Sequence, residues 1–145
     1  MAEVEAPKLP SGVRKKLMFV NRKAPHGTIY ALEALEVVLI SAAFEQEVCL
    51  AFLDDGVFQL VKGQNTQAIG TKNFAPTYRA LGDYEITRLY VERESLAERG
   101  LATADLMPIV HEDPDDADEE KPSIQVVGRA EMATLMAEQD VLLSF

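Results

Sequence analysis

With 145 residues, 24 acidic against 14 basic side chains and a formal charge of −10, the chain can build one hydrophobic core. That charge also argues against nonspecific nucleic-acid binding, which needs clustered Lys and Arg. No apolar run approaches the roughly 18 residues that span a bilayer, and Met1-Ala2-Glu3-Val4-Glu5-Ala6-Pro7 lacks the basic and apolar regions of a signal peptide. A cytoplasmic protein without membrane contact is therefore expected. The single cysteine, Cys49, leaves no internal disulfide, and with His26 and His111 it makes no metal-ligand spacing, so no metal is expected.

Residues 1–14 combine Pro and Glu with few large apolar groups and read as a flexible arm, which leaves 15–145 as a single domain. Leu17-Met18-Phe19-Val20 reads as the first strand. The turn Ala24-Pro25-His26-Gly27-Thr28 follows, and the Thr28 hydroxyl is placed to cap a helix from Ile29 to Phe44. A second strand, Val48 to Leu53, completes a βαβ unit around which the rest is organised. Within the helix Val37, Val38, Leu39 and Ile40 are consecutive, and at about 100° per residue they cover most of the circumference. One sheet face cannot bury them all, so a second covering surface, another subunit, is expected.

Asp54-Asp55-Gly56 reads as a turn at the strand end, 62–70 as a loop, and Pro76 to Leu81 as a short helix. Ile86 to Val91 is a third strand, alternating enough to be less buried than the second. Ser95 to Gly100 is a brief helix with Gly as its stop, and Met107 to Val110 is a fourth strand. The segment 111–122 holds seven acids and one lysine, −6 of the total charge, and reads as a solvated, mobile loop or as a docking patch for a basic surface. Ile124 to Val127 is extended, Arg129 to Glu138 is a helix with Met132, Leu135 and Met136 on one side, and Val141 to Phe145 closes the sheet. Strands alternating with helices predict a three-layer α/β domain, a mostly parallel sheet of about five strands with helices on both faces. Sites in such folds gather beyond the carboxyl ends of the strands. That edge collects Asn21-Arg22-Lys23, His26, Asp54-Asp55, Glu92-Arg93-Glu94 and the acidic segment.

Each candidate there has two readings. Cys49 would need a stabilised, accessible thiolate to work as a nucleophile, yet it sits inside an uninterrupted apolar strand on the face of Ala51 and Leu53. A core cysteine is the simpler reading. Asp54 and Asp55 could hold Mg²⁺ but lack a third acid or a Walker-type lysine, so a turn in which Asp caps neighbouring amides is preferred. His26 could move protons, but no nucleophile accompanies it, and a turn histidine bonded to backbone is preferred. Gly27-Thr28 at a helix start could receive an anion; one Gly and one hydroxyl fall short of a flavin or dinucleotide loop, and no cofactor is expected.

The turn Ala24-Pro25-His26-Gly27-Thr28, the run Asp55-Gly56-Val57-Phe58-Gln59-Leu60, Gly63-Gln64, Ser95-Leu96-Ala97-Glu98-Arg99-Gly100-Leu101 and Asp140-Val141-Leu142-Leu143-Ser144-Phe145 together resemble the DsrF/TusC family, in order, from about residue 15 to 145. The runs Asn21 to Pro25 and Thr28 to Glu36 look more like the DsrF branch of sulfur oxidisers than the tRNA-thiolating TusC branch. The resemblance implies a DsrE/F/H-like subunit, related in fold to DsrE-like and DsrH-like (TusD- and TusB-like) partners and assembled with them as a heterohexamer. It also implies that the complex passes persulfide sulfur to a DsrC/TusE-type carrier protein. In the thiol-bearing sibling the reactive cysteine lies just after the third strand, a place that falls near Glu92 in this chain. A carboxylate cannot form a persulfide, so the resemblance implies a non-catalytic partner, with His26, Thr28, Val37, Ile40, Asp54, Asp55 and Glu92 as candidate interface or binding positions. The alternatives are a TusC-type subunit in tRNA 2-thiouridine synthesis, an autonomous sulfurtransferase using Cys49, and a standalone anion-binding or nucleotide-binding domain at Gly27-Thr28. The acidic insertion is longer than the TusC type implies.

Overall fold

The computed structural model describes residues 14–70 and 73–145; the arm expected over 1–14 lies outside them, Arg14 excepted. The apolar runs become the central strands. They are β1 (Lys16–Asn21), β2 (Glu47–Phe52), β3 (Leu89–Glu92), β6 (Ile124–Val127) and β7 (Val141–Ser144), in the spatial order β6-β3-β2-β1-β7 and parallel throughout. From β1 through β2 and β3 to β6 the chain steps in one direction across the sheet. Right-handed crossovers then put the intervening helices on one face: α1 (Tyr30–Ala43), α2 (Ala75–Arg79) and α3 (Arg93–Glu98). After β6 it returns past the whole sheet to lie beside β1, so α4 (Arg129–Ala137) falls on the other face.

The alternation of side chains along each strand sorts the core accordingly. Phe19, Leu50, Phe52, Leu89 and Val91 point to the first face and pack with Ala31, Leu35 and Val38 of α1, Ala75 and Tyr78 of α2, and Leu96 of α3. Met18, Val20, Cys49, Ala51, Tyr90 and Val127 point to the second, thinner face and meet Met132 of α4. The expected three-layer arrangement, with about five mostly parallel strands and helices on both faces, is what forms.

Four local expectations change. The N-cap of α1 is Ile29 and no side chain caps it, so Thr28 does not have the predicted role. All four residues of β3 are buried, not half-exposed as its alternation suggests, because β3 lies inside the sheet between β2 and β6. Met107 to Val110 is not a sheet strand. Met107 and Ile109 are buried in irregular chain around Pro108, and the strand that starts at Val110 leaves the sheet altogether.

The acidic segment, finally, is not a loop. It is an antiparallel hairpin, β4 (Val110–Asp113) with β5 (Glu119–Pro122), joined by a 3-10 turn at Pro114–Asp116. Lys121 bridges Asp113 at 2.7 Å and Asp116 at 3.2 Å, and Asp113 accepts from the Asp115 amide at 3.0 Å. One lysine thus gathers carboxylates that would otherwise repel one another, and these contacts hold its pKa above and that of Asp113 below their ordinary values.

Candidate functional site

The carboxyl ends of β1, β2 and β3 share one edge, and the chain is drawn together there by close backbone approach. Asn21, buried at the end of β1, donates from its amide to the carbonyls of Phe19 (3.1 Å) and Ala51 (3.3 Å), and its own carbonyl accepts from Leu53 N–H at 3.1 Å. Gly56 packs on that same carbonyl so tightly that a Cβ would stand 1.8 Å from the oxygen. The 3-10 segment Asp54–Leu60 therefore sits hard against β1, and a glycine is required at its third position.

Glu92 ends β3 and is only 5 % exposed. A lone carboxylate at that depth would be costly, and the site compensates it with three donors on one oxygen: Ser95 Oγ at 2.8 Å, and Arg129 Nη2 and Nε at 2.9 and 3.2 Å. Ser95 Oγ in turn accepts from the Asp54 amide at 2.9 Å, which turns its own proton toward Glu92. From Arg129 the contacts run on to Glu98 (3.3 Å), to Arg99 (3.6 Å) and to Asp55 (3.0 Å), while Arg22 holds Asp54 at 2.9 Å. Glu92 first, and then Glu98, hold the Arg129 guanidinium above its ordinary pKa. Asp54 and Asp55 are each taken by a different arginine, so they do not face one another as a metal pair. Among the described residues no group of three His, Cys, Asp or Glu could hold a metal ion.

His26 lies nearby in the turn before α1. Gln64 Nε2 faces the carbonyls of Phe58, Gln59 and Val61 at 3.2, 3.2 and 2.9 Å, which fixes Gln64 Oε1 as an acceptor. His26 Nε2, 3.1 Å from that oxygen, must be the donor, and its ring meets Phe74 edge-on at 5.7 Å. The expected bond to backbone is therefore a bond to the Gln64 side chain. Buried Gln59 does the same one step away: it donates to the Lys23 carbonyl at 2.8 Å and accepts from the Tyr78 hydroxyl. Burial pushes the Tyr78 pKa well up, so the phenol keeps the proton it donates. The turn is pinned by neutral amides, and Thr28 is exposed at its end.

Cys49 stands apart from all of this. It is 2 % exposed on the α4 side of the sheet, where its thiol donates weakly to Gln139 Oε1 at 3.8 Å, and burial pushes its pKa up to about 11. Four residues of extended chain separate it from Asp54, about 15 Å along the strand. Val37 and Ile40 are elsewhere again, on α1. Val37 is half-buried and Ile40 is 56 % exposed, in line with Ile29 at 64 % and Phe44 at 73 %. The structure thus brings Asp54, Asp55 and Glu92 into one network and leaves Cys49 and the α1 positions outside it.

The residues that hold the network together, Ser95 and Arg129, were not singled out from sequence. Nor were Gln59 and Gln64 given a role, although both fall inside the runs that carry the family resemblance.

The DsrE/DsrF-like family profile matches residues 15–145. The chain belongs to the DsrE/DsrF-like family. It is 57 % identical over 135 residues to the intracellular sulfur oxidation protein DsrF of Allochromatium vinosum, covering 93 % of this chain and 99 % of that one. Protein TusC of Escherichia coli is 39 % identical over 60 % of this chain and 73 % of its own length. The TusC homolog of Vibrio vulnificus is 30 % identical over 90 % and 98 %. Within the family the DsrF branch is favoured. The crystal structure of the ychN protein from E. coli superposes with a TM-score of 0.70 at 19 % identity, covering 90 % of this chain and 99 % of that one, and supports the DsrE-like fold. The family match spans the acidic hairpin, so β4 and β5 lie inside the matched domain.

Proposed function

We propose that this chain is a non-catalytic subunit of a cytoplasmic DsrEFH-type sulfur-relay complex, built with DsrE-like and DsrH-like partners, that carries persulfide sulfur to a DsrC/TusE-type carrier protein during sulfur oxidation. The observation that carries the reading is the chemistry at the end of β3. Where the resemblance puts the reactive cysteine of a sibling subunit, this chain has Glu92, buried and held by Ser95 and Arg129. A persulfide requires a thiol sulfur, and the one thiol in the sequence is sealed under α4 toward the amino ends of the strands and protonated at neutral pH. The likeness to DsrF over nearly its full length supports the pathway, and the apolar outer surface of α1 supports assembly. No described helix is long and apolar enough to cross a membrane.

The test is native mass spectrometry of this chain expressed alone and then with the DsrE-like and DsrH-like products of neighbouring genes. Two copies of each chain in a discrete assembly, with sulfur transfer unchanged by Cys49→Ser, is the expected result. A stable monomer beside its partners, or loss of transfer in Cys49→Ser, overturns the proposal.

A further inference from the structure

The outer side of α1 carries a pattern of its own. At about 100° per residue, positions 29, 33, 36, 37, 40 and 44 fall within an arc of roughly 100°, opposite the buried Ala31, Ala34, Leu35 and Val38. That arc reads Ile, Glu, Glu, Val, Ile, Phe: an apolar stripe with two carboxylates set into its middle. Ile29, Ile40 and Phe44 are each more than half exposed. Among the described residues no cation pairs with Glu33 or Glu36, whereas Asp54, Asp55, Glu92 and Glu98 of the carboxyl-edge network are each held by an arginine. Phe44 ends the stripe at the rim of a cavity of about 600 Å³ whose lining is mostly polar, Glu45, Glu47 and Arg88 among it.

The two carboxylates decide what can cover the stripe. A second copy packed antiparallel would bring Glu36 against Glu36 at the centre, with each Glu33 close by, and a parallel copy would stack Glu33 on Glu33. Either arrangement traps four unneutralised carboxylates in an apolar contact. A surface with apolar side chains at helical spacing and Lys or Arg set among them would instead neutralise both glutamates as it dried the stripe.

We propose that this stripe is a heteromeric docking face whose occupant is the helical, Lys- or Arg-bearing surface of a different subunit, and that Glu33 and Glu36 exclude self-association. The inference rests on the assembly reading above and adds to it the face and the charge of the partner.

Three variants test it in the coexpressed complex, each at exposed positions where circular dichroism and unfolding midpoint confirm an unaltered fold. Ile40→Glu should abolish incorporation of this chain. Glu33→Lys/Glu36→Lys should weaken incorporation at least tenfold, with the defect shrinking as salt is raised. Glu33→Gln/Glu36→Gln, studied alone by sedimentation velocity, should self-associate at least tenfold more tightly than the wild type. Normal assembly of the first two variants would overturn the docking face while leaving the assembly reading intact. A wild-type chain that dimerises alone and loses the dimer in Ile40→Glu would overturn the heteromeric assignment. Absence of any mixed assembly, even with wild-type chain, would overturn both readings.

Discussion

Ser95→Ala is the most direct test of the carboxyl-edge network, because one hydroxyl serves two neighbours there. Ser95 is fully buried, accepts from the Asp54 amide at 2.9 Å and donates to Glu92 at 2.8 Å. Alanine fills almost the same volume, so packing changes little and the effect is polar. Losing a hydrogen bond to a charged group costs about 1.5–3 kcal/mol, and stranding a buried amide costs about 1–3 kcal/mol, partly relieved because Asp54 is half-buried. The sum is about 3 kcal/mol out of a stability of about 5–15 kcal/mol. With a urea dependence of about 2 kcal/mol per molar, the unfolding midpoint should fall by about 1.5 M. Amide exchange should show the Asp54 N–H losing its protection while β2 keeps its own. The coupling with Glu92→Met in a double-mutant cycle should be at least about 1 kcal/mol. A midpoint shift below about 0.5 M, or additive single mutants, would refute the argument that Ser95 is the hinge of the network.

Four further outcomes follow from the structure. Cys49 should resist iodoacetamide at pH 8 in the folded protein and react fully in denaturant; labelling of the native chain within minutes would contradict its burial. Its folded pKa of about 11 lies above the ordinary 9.0, so the unfolded state loses its proton first. Cys49 should therefore withdraw about 2–3 kcal/mol of stability as pH rises from about 9 to 11. Cys49→Ala should remove that share in urea titrations, leaving the further loss that Tyr78 adds as pH passes its ordinary 10.0. Gly56→Ala, whose methyl would stand 1.8 Å from the Asn21 carbonyl, should cost more than about 4 kcal/mol or prevent folding, and a near-native melting temperature would refute the close approach. Gln59→Leu strands the Lys23 carbonyl and the Tyr78 hydroxyl and should cost about 2–4 kcal/mol by thermal unfolding, whereas an unchanged midpoint would show that water replaces the amide.

What could be read from the sequence tracks how local the signal is. Met18 to Val20 and Val48 to Phe52 are apolar without a break, which only strands buried on both sides require, and the crossover rule then leaves little choice for the helices. The hairpin was hidden because its strands are His-Glu-Asp and Glu-Glu-Lys: no apolar alternation marks them, and the register is set by Lys121 and the backbone. Met107 and Ile109 looked like a strand because they are buried, but Pro108 between them lacks the amide a ladder needs. The placement of Glu92 at a strand end could be read from the apolar run Ile86 to Val91 that precedes it. Its surroundings could not, because Arg129 reaches it from 37 residues away and nothing in either local stretch marks the pair. Ser95 is three residues from Glu92, and a short polar residue at the start of a helix is too common to single out.

The return of β7 to lie beside β1 has a consequence for how the chain is made. The Lys16 amide bonds to the Asp140 carboxylate, a partner 124 positions further along, and Leu17 to Val20 pair with Val141 to Ser144. Contacts of such long sequence separation form late and slow the search for the native state. At about 5–20 residues per second a ribosome needs on the order of 10 s between the two strands, and throughout that time one edge of an apolar strand is open. An open apolar edge is a template for aggregation. Arg14 and Lys15 stand before that strand, Lys16 begins it and Arg22 and Lys23 follow it, five of the fourteen cations in an acidic chain. Charges flanking an aggregation-prone run act as gatekeepers, and the nascent chain thus carries its own protection for the interval before its last strand exists.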